Sequence, residues 1–593
     1  MSTRAIRLRW IAILAIFSIV YIGSIFSPAL LDDADATHSE AAREMYRTGD
    51  WVTLHVNGIR YLEKAPLLYW LIAGSYYLFG RSDAATRLPL LLAMLFTLAL
   101  AVVWTRRAFG DRAGILAGLF TTTTIGLYLF TRVTIPEALL SLFIASSLYC
   151  FLRALNSAPT KAPWLWYGAY GSLALAVLTK GLLALVVVGG TAFLFLVSTG
   201  QWRRWREFRL LSGTLVFLLI AAPWHLLAGF RNHSFFWFYF VNEHFLRFLG
   251  KRYPKDYNKL PTLAYWSLHF VWLFPWSIFT PLVIKNLFTR WRERRVATAQ
   301  DWSLADQTRL LCFLWASVIL VFFAFSTNQE YYTVPAYFPL IVLCADALIS
   351  ACERPSRWQT AGYVVMVVLG WTAAVALFLG LWSSRSLPFQ PDVGAVLTER
   401  GVGNYTLSMS HFFDLTGASF AGLRLPAMLA ALAFAAGPAV ALFLHLRRKL
   451  IAALWAVAVF TALFLVAAHL ALARFEPFLS SRTLAQQTLK VAQPQDRFMI
   501  YGDQSYGSSW IFYLEKQVFL VNGRTTSMEF GSRFPDAPKI FLTDSDLVSS
   551  WNQNERIFLF APLRNEGGLR ALLGNHLFRI AHTSANAVYS NQP

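Results

Sequence analysis

Long apolar stretches fill the first four-fifths of the chain, and short polar breaks separate them. A helix needs about 20 apolar residues to cross a bilayer. By that measure spans are predicted at about 10–31, 84–104, 113–130, 137–153, 164–179, 182–198 and 210–229. Others follow at about 262–284, 309–326, 332–350, 360–382, 425–446 and 450–472, which makes about 13 crossings. The run 66–80 is apolar but short, and reads as a re-entrant or interfacial helix. Past residue 473 the pattern changes. Short β-prone runs at 497–501, 517–521, 539–542 and 556–560 alternate with helix-compatible stretches, and Gly502-Asp503 and Asn522-Gly523 mark turns. The expected architecture is a mainly α-helical membrane domain over 1–472 with juxtamembrane helices on its outer side. A small α/β domain over 473–593 follows, large enough for its own core.

Composition agrees with this pattern. Of 593 residues 56% are hydrophobic and only 14% are charged, with a mean hydropathy of +0.47. Soluble domains carry about 25% charged residues. The formal charge of +20 would suit a nucleic-acid partner, but the basic residues cluster between spans, at 202–206, 290–295, 354–357 and 447–449. Such placement sets orientation in a membrane and gives no reason to expect nucleic acid. With the basic N-terminus cytoplasmic, the clusters alternate consistently and an odd number of spans sends the C-terminal domain outside. The first span lacks a small-x-small site before the acidic loop and is expected to stay uncleaved. The four cysteines, Cys150, Cys312, Cys344 and Cys352, have no metal-ligand spacing, and none lies in the tail.

The same walk gathers the chemically able residues on the outer face: loop 32–64, the turn 131–137, the break at Lys180, loop 230–261 and 327–331. Asp32, Asp33, Asp35 and Glu40 follow the first span closely. Aspartates cap helices, but this many acids beside an apolar body also suit a base or a metal ligand. Arg60 and Lys64 can hold a phosphate, while a lysine at that depth also snorkels to headgroups. Glu137 opens a span, where the helix N-terminus alone favours it; charge facing a membrane cavity is equally a functional candidate. Lys180-Gly181 interrupts a long apolar stretch, and Lys180 is read as phosphate-binding. In loop 230–261, Glu243, His244 and Arg247 sit among aromatics that form either an interfacial belt or the groove for a polyprenyl chain. Glu63 and His244 complete a metal site only if the fold unites their loops.

Together these segments resemble a known family. Glu40-Ala41-Ala42-Arg43-Glu44-Met45, Gly49-Asp50-Trp51 and Arg60-Tyr61-Leu62-Glu63-Lys64-Ala65-Pro66 carry the likeness. Leu178-Thr179-Lys180-Gly181, Glu243-His244-Phe245-Leu246-Arg247-Phe248 and Phe274-Pro275-Trp276 extend it. They are similar to the C-type integral-membrane glycosyltransferases, the family of the lipid A aminoarabinose transferases and the protein O-mannosyltransferases. The resemblance implies a monomeric enzyme of the bacterial inner membrane that takes a sugar from a polyprenyl phosphate. The acceptor would be a lipid A-like lipid, a protein hydroxyl or an envelope glycan, and attack would invert the anomeric carbon on the outer face.

It further implies a catalytic aspartate in the first loop, a second acid at Glu137 and phosphate-binding Lys64 and Lys180. A divalent cation near Glu63 and His244 is implied as well. Aligned without gaps from Arg43-Glu44-Met45, the family's Asp-Glu pair falls on Ala34-Asp35. Either Asp35 takes the role or a one-residue shift gives it to Asp33. A flippase of lipid-linked sugars is the alternative; it predicts mid-span charge and inverted repeats, and neither is evident.

Overall fold

The apolar runs become helices, with breaks where the backbone loses a donor or turns. The computed structural model describes residues 3–158, 162–255, 259–296, 302–354, 356–398, 414–524 and 526–593. Among them nine helices are long and apolar enough to cross a bilayer, or ten if one bent pair counts as a span, against the thirteen expected from hydropathy. That pair, Thr262–Trp272 and Trp276–Arg294, turns through 106° next to Pro275, which has no N–H to donate. The stretch 113–130 is likewise two helices, Asp111–Thr123 and Ile125–Phe130, parted at an extended Thr124. The Ile125 N–H bonds to the Phe274 carbonyl rather than back along its own helix. As expected, 66–80 yields only a short helix, Leu67–Phe79.

The first loop is folded and buried. Its helix Ala34–Thr48 is capped by Gly49 at φ +71°. A tight hairpin pairs His55–Val56 with Ile59–Arg60. Asn57 and Gly58 form its turn, both at positive φ, the conformation such two-residue turns require.

The C-terminal domain is built on a six-stranded sheet. In spatial order its strands are Phe541–Leu542, Phe519–Val521, Arg497–Tyr501, Ile557–Pro562, Asn586–Ser590 and Phe578–His582. The first four run parallel and the last two are antiparallel. Alternate residues face opposite sides of a strand. Phe498, Ile500 and Leu520 therefore enter one core with Trp510, while Met499, Val521 and Leu559 enter another with Trp551.

This domain clamps the first loop. The Asp32 carboxylate accepts from the Ser509 N–H and hydroxyl and from the Ser481 hydroxyl, each at 2.7 Å. The Asn57 amide bonds both ways with the Val518 backbone. Asp83 receives Tyr513 and Arg482, and Arg60 pairs with Asp536. Gly531 presses so closely on the Arg60 carbonyl that no side chain would fit there.

Candidate active site

At the end of the helical body that carries the C-terminal domain lies a cavity of about 440 Å³. Four segments far apart in the chain supply its charged groups. Glu137 enters from the start of the helix Glu137–Leu155, where its charge favours the helix N-terminus. Lys180 enters from the end of Pro163–Lys180, where a cation is favoured. The two form an ion pair, and Lys180 also stands 4.0 Å over the Tyr332 ring. The other Glu137 oxygen, Oε2, is buried and bonds to no described residue.

Gly181 makes this geometry possible. At φ +68° it turns the chain where a Cβ would be strained, and that Cβ would collide with the His244 imidazole. Nε2 of His244 accepts the Leu182 N–H at 3.0 Å, and its Nδ1 donates to the Tyr239 carbonyl at 2.6 Å. His244 thus holds the start of the next helix in place.

Glu63 and Lys64 enter after the hairpin. Lys64 lies 2.9 Å from Glu63. Arg252 bridges the Glu63 and Glu243 carboxylates at 2.6 and 2.8 Å, and Arg247 reaches Glu243 at 2.8 Å. Burial alone would raise the Glu63 carboxyl, but Lys64 and Arg252 outweigh it and hold the group below the usual carboxylate range. Phe245, Phe248, Phe322 and Phe323 join aliphatic and tyrosine side chains in the remaining wall, and Phe245 is largely exposed.

The structure brings Lys64, Lys180, Arg247, Glu63, Glu137 and His244 onto this one cavity and leaves Asp33, Asp35 and Arg60 off its wall. Asp35 is buried and fully occupied. Oδ1 accepts the Thr134 N–H and hydroxyl, and Oδ2 accepts the Leu31 N–H and Arg87. It fixes the turn that presents Glu137 rather than facing the cavity itself. Asp33 is exposed, at φ +69°, with its carbonyl under Ser508 of the C-terminal domain. Arg60 is taken by Asp536 and lies over Phe534, a contact with the tail rather than with a phosphate.

The cation implied at Glu63 and His244 does not fit this arrangement. Both Glu63 oxygens face cations, and both His244 nitrogens are in hydrogen bonds. Among the described residues no three His, Cys, Asp or Glu side chains gather as a metal site.

Two residues of the site, one on the wall and one behind it, escape sequence reasoning. His38, on the buried face of Ala34–Thr48, bonds through Nδ1 to the Tyr69 hydroxyl at 2.5 Å. Arg252 sits behind the wall in a loop whose other charges drew attention first. A lone His and a lone Arg carry no spacing signal. Only position 38, one helical turn beyond 34 and 35, hinted at this placement.

This constellation lies on the fold of the C-type integral-membrane glycosyltransferases, and the chain is a multi-pass membrane protein of that fold. Its residues 63–226 match the family described as dolichyl-phosphate-mannose-protein mannosyltransferase. It is similar to the undecaprenyl phosphate-alpha-4-amino-4-deoxy-L-arabinose arabinosyl transferase 1 of Proteus mirabilis, with 26% identity over 64% of this chain and 66% of that protein. The transferase of the corresponding name from Pseudomonas aeruginosa strain PAO1 is 26% identical over 57% of this chain and 59% of its own. The match thus spans 66% and 59% of these two relatives, less than two thirds of either. The crystal structure of ArnT from Cupriavidus metallidurans bound to undecaprenyl phosphate superposes with a TM-score of 0.78. It covers 100% of this chain and 98% of that one, at 23% identity.

Proposed function

We propose that the protein is a glycosyltransferase of the bacterial inner membrane. It moves a sugar, most simply an aminopentose, from undecaprenyl phosphate to a lipid A-like acceptor on the outer face. One observation carries this reading: two lysines from separate loops, Lys64 and Lys180, converge on a single cavity whose remaining wall is largely aliphatic and aromatic. A polyprenyl phosphate has that dual character, with a charged head and an apolar tail. The names of the relatives support the choice of lipid carrier and sugar.

Bound in the cavity, the phosphate would meet Lys64, Lys180 and Arg247. These groups stand ready before reaction, so they stabilise the charge that grows on the phosphate as the anomeric bond breaks. The leaving anion needs little protonation, and no general acid is required. Glu137 steadies Lys180 with one oxygen and offers the other to a hydroxyl of the bound sugar. Asp35 acts at one remove by holding Thr134 and so the turn before Glu137. The acceptor oxygen attacks from the side opposite the phosphate and inverts the anomeric carbon.

Purified protein in liposomes, given labelled undecaprenyl-phosphate aminoarabinose and lipid A, should release undecaprenyl phosphate and label the acceptor. Movement of intact donor across the bilayer without cleavage would instead establish the flippase reading. Offering pentose and hexose donors side by side fixes the sugar class.

A further inference from the structure

Resting on the transferase reading above, we infer that His38, backed by Tyr69, is the catalytic residue that takes the proton from the acceptor hydroxyl. The first-loop carboxylates are badly placed for that task. Ala34 has no acid, the four bonds of Asp35 tie it to Leu31, Arg87 and Thr134, and Asp33 is off the cavity wall. Two of the wall's glutamates have both oxygens on cations, Glu63 on Lys64 and Arg252 and Glu243 on Arg247 and Arg252, while Glu137 gives one oxygen to Lys180 and keeps Oε2 for the bound sugar. His38 follows Ala34 by four residues and so projects from the same face of one helix, with the longer reach of an imidazole.

Only Nδ1 of this ring is engaged, by the Tyr69 hydroxyl; Nε2 bonds to no described residue. The tautomer whose Nδ1–H donates to Tyr69 leaves an Nε2 lone pair free to accept a proton. Burial comes first, and the Lys64 and Lys180 ammonium groups add to it. Together they push the imidazole down to about 3, with Glu63 opposing them. His38 is therefore neutral at the working pH, but so low a value makes it a weak base in the empty cavity. A phosphate seated between the two lysines cancels part of their repulsion, so proton affinity rises when the donor is in place.

The step balances without any co-reactant. The acceptor oxygen forms its bond to the anomeric carbon while the bond from that carbon to the phosphate oxygen breaks with its electron pair. The acceptor's proton passes to Nε2 and then to the departing phosphate or to water.

The test compares His38→Ala, His38→Gln and Asp33→Asn in the full-length protein, with undecaprenyl-phosphate aminoarabinose as donor and lipid A as acceptor. Both His38 variants should lose about 10²–10⁴-fold in kcat, with the donor KM within about threefold of wild type. Free imidazole should restore part of the lost rate to His38→Ala, which a merely structural role would not allow. Should His38→Ala not fold, His38→Gln decides by the same split of kcat and KM. Turnover within threefold of wild type in either His38 variant overturns the assignment. So does an Ala variant that imidazole does not rescue, or a loss confined to Asp33→Asn. If the wild-type protein itself releases no undecaprenyl phosphate, the transferase reading fails instead.

Discussion

Lys180 and Glu137 form an ion pair whose carboxylate is buried and whose ammonium is only partly open to the cavity. Removing one partner of such a pair leaves the other charge uncompensated, typically at a cost of about 3–5 kcal/mol. Lys180→Met should therefore lower the thermal midpoint and abolish transfer together, read by a melt and by product release. Asp35→Asn makes a sharper contrast. The amide can replace only one of two accepting oxygens and turns its NH2 toward existing donors. The variant should lose on the order of 2–3 kcal/mol and lose transfer through a displaced 131–137 turn. A stable Asp35→Asn protein without activity would instead return the base role to that carboxylate. At this scale the sequence was readable for Lys64, Lys180 and Glu137 because each is a charge interrupting apolar surroundings. Asp35 carried the same signal for a different reason. An acid satisfied by Thr134 and Arg87, 99 and 52 residues away, looks in sequence like an acid waiting for substrate.

Among elements, the joint between the helix ending at Lys180 and the one starting at Leu183 is the most constrained. Gly181 meets both requirements there, a left-handed backbone and no side chain toward His244. Gly181→Ala should displace the Lys180 ammonium and the His244 ring together, lowering kcat at least tenfold while most of the fold survives. Donor-dependent turnover beside a melt tests this. The long uninterrupted spans followed directly from hydropathy. Helices broken inside an apolar run did not, because Thr124 and the 106° bend near Pro275 depend on a backbone bond between Ile125 and Phe274. The four parallel strands of the tail were legible in their β-prone runs. The antiparallel pair Phe578–His582 and Asn586–Ser590 was not, since its residues are more polar and its outer strand largely exposed.

For the molecule as a whole, the clamp between the first loop and the C-terminal domain matters most. Exposed ion pairs such as Arg60 with Asp536 contribute little, about 0–1 kcal/mol. The bonds of Asp32 to Ser481 and Ser509 weigh more, because their loss leaves half-buried donors unmade. Asp32→Ala should loosen the domain, speed proteolytic cutting near 475–482 and reduce transfer, whereas Asp536→Ala should change neither by more than twofold.

The clamp also has a consequence for how the protein is made. Asp32 and its partner Ser481 lie 449 residues apart, and ribosomes add about 5–20 residues per second. For tens of seconds the earliest loop of the nascent chain waits in water without the surface that will hold it. On the transferase reading, sugar transfer should begin only after the tail has been made, and a messenger cut short within the tail should yield an inserted but idle polypeptide.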